Sequence, residues 1–370
     1  MNASRLLLVI SELSQTEKKF GIQNALKQVH TNLHNLVQAP QQTDKQAEFS
    51  KSINELKVKI SSLNSSLSNS QLELIEEVNG SDYFSTLIYD KISQSVRDNP
   101  ITPSVALDQL SEIINKRESY IENLKKLVQG LRIVGIEEVS LEDGQAEIGF
   151  LIPRDMFDNN FNSLINKLGL LDKVIGTFSE VVTGNREDVE VRQISTSDPI
   201  LFLGMRPEVI AMVGASITWA LHVWKKVEEI KKIRKETKHL EVFEDKELAM
   251  FDQKIKEIVD QQIKEKIKNL VSEASELKSG RTTPEVKTHL DFALTTLLAL
   301  VERGMKVEVR YIPLKSEVEG DVEIKEDVFD FSKLHDLQQD LIFPTRSGNP
   351  ILSLPDSTPD QKATKRTKKD

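Results

Sequence analysis

Turn-forming residues are scarce in this chain. It holds 15 glycines and 12 prolines in 370 residues, together about 7% where average usage would give about 12%. Loops draw on glycine for positive φ and on proline for pre-set turns, so a chain short of both is expected to run in long regular elements. The apolar pattern agrees. Leu6, Leu7, Ile10, Leu13, Phe20, Leu26, Val29, Leu33 and Leu36 recur at three- and four-residue steps, predicting one helix over residues 4–38. Ile53, Leu56, Ile60, Leu63, Leu67, Leu74 and Val78 predict a second over 46–79, through a serine-rich stretch of modest helix propensity. A shorter helix is expected near 82–97. A fourth is capped by Thr102, carries Pro103 in its first turn and ends at Gly130. Residues 1–130 therefore read as a helical bundle or a set of hairpins.

The pattern then changes. Residues 132–141 and 145–152 read as strands around the turn Glu142-Asp143-Gly144. Phe157, Phe161, Leu164, Ile165 and Leu168 predict a helix ended by Gly169, and 174–182, 189–194 and 199–203 read as further strands. Residues 131–206 are thus a small α+β domain. From 207 to about 239 comes one long helix, and after a break at 241–245 another runs to about 277. Each would be about 50 Å long, and together 207–280 suggest a long antiparallel helical hairpin with coiled-coil character. Thr283 and Pro284 open a last helix to Arg303. Residues 306–312 and 321–325 alternate as two strands able to complete the sheet, so 281–332 reads as a helix plus two strands. Residues 333–370 read as a flexible, disordered tail. The fold class expected is mainly α with a smaller α+β part.

Composition removes several chemistries. There is no cysteine, which excludes a disulfide scaffold, thiolate zinc and a cysteine nucleophile. No glycine-rich phosphate loop, dinucleotide fingerprint or Gly-x-Ser-x-Gly elbow is present. No cofactor is expected. The net charge of −9 disfavours a nucleic-acid partner. The acidity is local: residues 1–130 carry 14 basic against 15 acidic groups, whereas 131–206 carry 7 against 13 and 281–332 carry 7 against 11. The strand-bearing segments hold the negative charge.

Candidate sites are few. His30 and His34 stand one helical turn apart, but a zinc site needs further ligands, and none lies beside them. His222 sits in an apolar helix and reads as a core or interface histidine. The sharpest enzymatic pattern is Asp321, Glu323 and Lys325 on one face of a strand, with Glu308 able to approach from the neighbouring strand. Such carboxylates could hold Mg²⁺ while the lysine handles water in a nuclease. The same alternation is what any strand with one wet face shows. In 225–238, Lys231, Lys232, Arg234 and Lys235 form a basic run that could meet an acidic partner. Its pairing with glutamates four residues away also reads as an ordinary solvated helix. The stripe Ile255, Ile258, Ile263 and Ile267 needs covering, by this chain or by a second copy.

Residues 209–224 are largely apolar but fall short of the roughly 20 residues a bilayer span requires, so a core helix is the expectation. A membrane-seeking helix, of the kind a toxin or phage-defence effector exposes, is the minority reading. The leading expectation is a cytoplasmic, bacterial-type interaction or scaffold protein without enzymatic activity, binding a protein partner or itself through helices. The alternative enzymatic reading is the Mg²⁺-dependent nuclease.

Overall fold

The computed structural model describes residues 3–136, 141–195, 199–238, 245–273, 283–314 and 329–344, with Pro350, Leu352 and Leu354. It is mainly helical with a smaller antiparallel sheet, as the periodicity predicts, and divides into two compact units, Met1–Ser140 and Leu141–Asp370.

Among the described residues, the regular elements of unit 1 are helices: α1 (Ala3–Phe20), α2 (Ile22–Gln38), α3 (Thr43–Ser65), α4 (Asn69–Glu77), α5 (Ser81–Phe84), α6 (Leu87–Asp98) and α7 (Pro103–Ile133). Its core is built from the predicted stripes, with Ile10, Leu13, Leu26, Val29, Leu56, Ile60 and Leu110 all essentially inaccessible. Three expected helices are each broken, the one near 82–97 at an extended Ser85 between α5 and α6. The helix over 4–38 divides at Gly21, whose φ of 62° is left-handed and natural only to a residue without Cβ. The Glu17 side chain then accepts from the Gln23 N–H at 2.8 Å, serving the first turn of α2. The helix over 46–79 stops at Ser65. Ser68 restarts the chain with a reciprocal capping box, its N–H donating to Gln71 Oε1 at 2.7 Å and its hydroxyl accepting from the Gln71 N–H at 3.3 Å. The serine patch supplies a cap where a weak continuous helix was expected. At the other end, α7 continues through Ile133, so 132–133 are helical where a strand was expected.

Unit 2 contains β1 (Ala146–Leu151), α8 (Phe161–Thr183), β2 (Glu190–Ser195), β3 (Ile200–Met205), α9 (Pro207–Lys238), α10 (Asp245–Glu273), α11 (Thr283–Glu302), β4 (Lys306–Tyr311) and α12 (Ser332–Asp340). The sheet runs in the order β2-β3-β1-β4, every pair antiparallel. Ile148 lies between Leu203 and Val309, and Phe150 between Leu201 and Val307. That apolar face shares one core with Val213, Ile217, Leu294 and Leu297 of α9 and α11. α8 and α11 pack on α9, α10 lies against α9 and α11, and α12 covers part of α9 and β4.

Two expectations change here and one holds. Residues 174–182 belong to α8, which runs unbroken past Gly169 to a left-handed Gly184. Val174, Ile175, Phe178 and Val181 are buried together, and a helix wrapped by core shows the same dense apolar run as a buried strand. Residues 332–340, read as the start of a tail, form α12, anchored by buried Leu334 and Leu337. The expectation that holds is the core helix over 209–224, within α9. Val209, Ile210, Val213, Ile217, Ala220 and Leu221 are core residues of unit 2, and among the described residues no helix is long and apolar enough to cross a membrane.

Candidate functional site

The second face of the sheet carries charge. Here β1 presents Glu147 and Gly149, with Gly204 and Phe202 of β3 on one side and Arg310 and Glu308 of β4 on the other. Glu190 stands opposite Gly204 on β2, and a register shift between Val191 and Gln193 puts an extra residue, Arg192, into that strand. The bulge re-aims Arg192 across the sheet: a Cβ at Gly204 would collide with its guanidinium. Gly149 is needed for the same reason, because a Cβ there would lie 2.6 Å from the Phe202 ring. The two glycines let one aromatic ring and one guanidinium lie flat on the backbone. Arg310 covers the other side of Phe202, its guanidinium carbon 5.6 Å from the ring centre.

Beneath this layer Glu147 is fully buried. Arg310 Nη1 approaches Oε1 to 2.7 Å, yet neither carboxylate oxygen has a partner in hydrogen-bond geometry. The contact is an ion pair out of line. Burial pushes the Glu147 carboxyl above its ordinary pKa; Arg310 and Arg192 pull it down, and Glu308 and Glu190 push it up again. A raised carboxyl is the property a general acid needs, but Arg310 and Arg192 are themselves only 11% and 16% exposed. The face is a layer of mixed charge laid across four strands, shielded at Glu147 and open to solvent at Glu190, which is 68% exposed.

Glu308, expected as a metal ligand, belongs to this layer and is half-buried opposite Gly149. Its companions Asp321, Glu323 and Lys325 lie outside the described residues, as does the strand expected at 321–325. Among the described residues no group of three or more His, Asp or Glu is placed to hold a metal. His30 hydrogen-bonds Ser111 at 2.7 Å across α2 and α7, while His34 is exposed. His222 is exposed on α9, not a core residue as expected, because it falls on the polar edge between Leu221 and Val223.

The expected interaction residues fare differently. Ile255, Ile263 and Ile267 are buried in the core of unit 2 and Ile258 is half-buried, so at the three buried positions this chain covers the stripe itself. Lys231 is only 13% exposed and donates to Glu228 at 2.8 Å and to Glu302 at 2.9 Å, the latter from α11. It ties two helices together and presents nothing to a partner. Lys232 is exposed. The side chains of Arg234 and Lys235 lie outside the described set.

Open apolar surface occurs elsewhere. Phe161 is 76% exposed and Ile165 48%, one turn apart on α8. Asn160 caps this helix by accepting from the Ser163 N–H at 3.0 Å. Sequence periodicity identified Phe161 and Ile165 as members of a helical stripe but carried no signal that this end of it is uncovered. Compared with known proteins, the chain matches no family model, no curated protein and no solved structure.

Proposed function

We propose that this chain is a non-enzymatic interaction or scaffold subunit, working through helical surface and located in the cytoplasm. The observation that carries the reading is the exposed pair Phe161 and Ile165 on α8. Large apolar side chains held on a capped helix lose little conformational freedom when covered. Burying each fully would contribute about 1.5–3 kcal/mol, enough to anchor an interface as a small central cluster. The remaining length of α8 is fixed by its buried side, where Leu171, Val174 and Phe178 enter the core, so the exposed end is presented rigidly.

The test is a photo-crosslinking residue at position 161 in the full chain, read by mass spectrometry, beside the double substitution Phe161→Asp and Ile165→Asp. A discrete cross-linked species, formed with a partner or a second copy and lost in the double variant while the helical signal stays, is the expected result. A chain that captures nothing at 161, remains a monomer and turns over a substrate would overturn the reading.

A further inference from the structure

At the C-terminal end of α11 two consecutive residues hold the backbone of a single distant residue. Glu302 Oε2 accepts from the Leu352 N–H at 2.9 Å, and Arg303 Nη2 donates to the Leu352 carbonyl at 2.6 Å. Both bonds go to backbone atoms of one residue, in the manner by which a sheet edge receives an added strand. The side chains of Leu352 and Leu354 pack on the core of unit 2. In sequence the segment is Pro350-Ile351-Leu352-Ser353-Leu354-Pro355, and prolines near both ends favour an extended chain over a helix.

The receiving side also carries bonds to groups other than the segment it holds. The Glu302 side chain is 1% exposed, and its other oxygen takes the bond from Lys231. Lys231 is fixed in turn by Glu228, whose carboxylate also accepts from Trp224 Nε1 at 3.1 Å. Arg303 is steadied by donating to the Ala299 carbonyl at 2.8 Å. A buried acid and an arginine, each held by its own helix contacts, thus offer one acceptor and one donor to an extended backbone with apolar seats beside them. The pair distinguishes an extended peptide from a helical one, in which N–H and carbonyl are already engaged, and the seats select leucine-like side chains at alternate positions.

We infer that this is a peptide-acceptor groove, occupied in the resting chain by its own Leu352 and Leu354, and that its ligand in trans is an extended Leu-x-Leu segment of a partner protein. The internal segment acts as a tethered competitor, and tethering raises its effective concentration to about the millimolar range. The reading rests on Glu302, Arg303 and Leu352 and not on Phe161 or Ile165, so failure of one leaves the other standing.

The experiment uses the full chain with a protease site inserted within residues 345–349 and cleaved after folding. The probe is a labelled peptide of sequence Pro-Ile-Leu-Ser-Leu-Pro, blocked at both ends and followed by fluorescence anisotropy. The cleaved protein should release the fragment from 350 onward and bind the peptide at least tenfold more tightly than the uncleaved protein. Arg303→Met in the protein should weaken binding by tenfold or more, and a peptide carrying Leu352→Asp and Leu354→Asp should not bind. Three results would overturn the proposal. One is a cleaved protein that has lost the fragment, keeps its helical signal and binds no peptide. Another is cleavage that unfolds unit 2, seen in Trp219 and Trp224 fluorescence, since the segment is then core and not ligand. The third is an uncleaved chain that dimerises in a manner lost with Arg303→Met, because the occupant is then a second copy.

Discussion

Two charged side chains show no exposed surface, Arg117 in unit 1 and Glu147 in unit 2, and they are treated in opposite ways. Arg117 Nε donates to the Tyr83 carbonyl at 2.9 Å, Nη1 to Gln23 at 2.8 Å, and Nη2 to Glu17 at 2.5 Å. Its guanidinium also lies 5.3 Å from the centre of the Phe84 ring. One side chain on α7 thereby gathers α1, α2 and α5. Glu147 has charges around it but no bond in line. Burial alone therefore does not tell whether an ion holds a fold together. What separates the two is whether the fork of donors or the pair of acceptors is met in direction as well as in distance.

The largest effect that would test this contrast is Arg117→Met. It leaves the Glu17 carboxylate, itself 14% exposed, without its ion-pair partner, and should destabilise unit 1 by about 3–5 kcal/mol. Both tryptophans, Trp219 and Trp224, belong to unit 2. Urea unfolding followed by circular dichroism should lose its unit 1 component early, with tryptophan fluorescence as the separate reference for unit 2. An unchanged midpoint would make Arg117 a passenger.

Second in size, Gly149→Ala forces a Cβ against Phe202 in a central strand and should cost about 1–3 kcal/mol, read as an earlier tryptophan transition in urea. Glu147→Gln should run the other way. The folded carboxyl sits above the ordinary range, so its contribution to stability is fully present below the ordinary carboxylate pKa and is lost as pH rises through the folded value. A permanently neutral glutamine escapes that loss. The variant should match the wild type in acid and equal or exceed it at pH 7 by about 0–1 kcal/mol; a clear destabilisation at pH 7 would show the out-of-line pair with Arg310 to be worth more than its geometry suggests. The smallest effect belongs to Lys27→Ala. Its pair with Glu118 is half exposed on both sides, and a loss of no more than about 0.5 kcal/mol is expected.

How far the fold could be read in advance follows from what each element needs. The starts of α9 and α11 are marked by Pro207 and by Thr283-Pro284, because a missing N–H costs nothing in a first turn. The break at Gly21 was hidden, since one left-handed residue leaves the apolar spacing on either side almost undisturbed. Residues 174–182 misled because β-branched side chains buried all round erase the 3.6-residue period that identifies a helix. The charge layer was hardest. Glu147, Arg192 and Arg310 come from strands far apart in sequence, and their meeting depends on a pairing order and a bulge that no local pattern records. Likewise the stripe holding Phe161 and Ile165 was visible, but whether a neighbour covers it is a tertiary fact.

The strand order has one further consequence, for the way the molecule is made. β1 pairs with β4 from Ala146 with Tyr311 to Leu151 with Lys306, so even the nearest partners are separated by 155 positions. During synthesis β1 leaves the ribosome well before the strand that closes its second edge, and α8, β2, β3 and the three long helices are all made in between. Until β4 arrives, β1 offers a bare edge bearing Ile148 and Phe150. Such an edge invites pairing with another nascent chain, and a closure spanning so much sequence is slow. Truncation before residue 306 should therefore yield aggregates in place of a smaller folded protein, and the yield of native chain should depend on how quickly the last quarter of unit 2 is delivered.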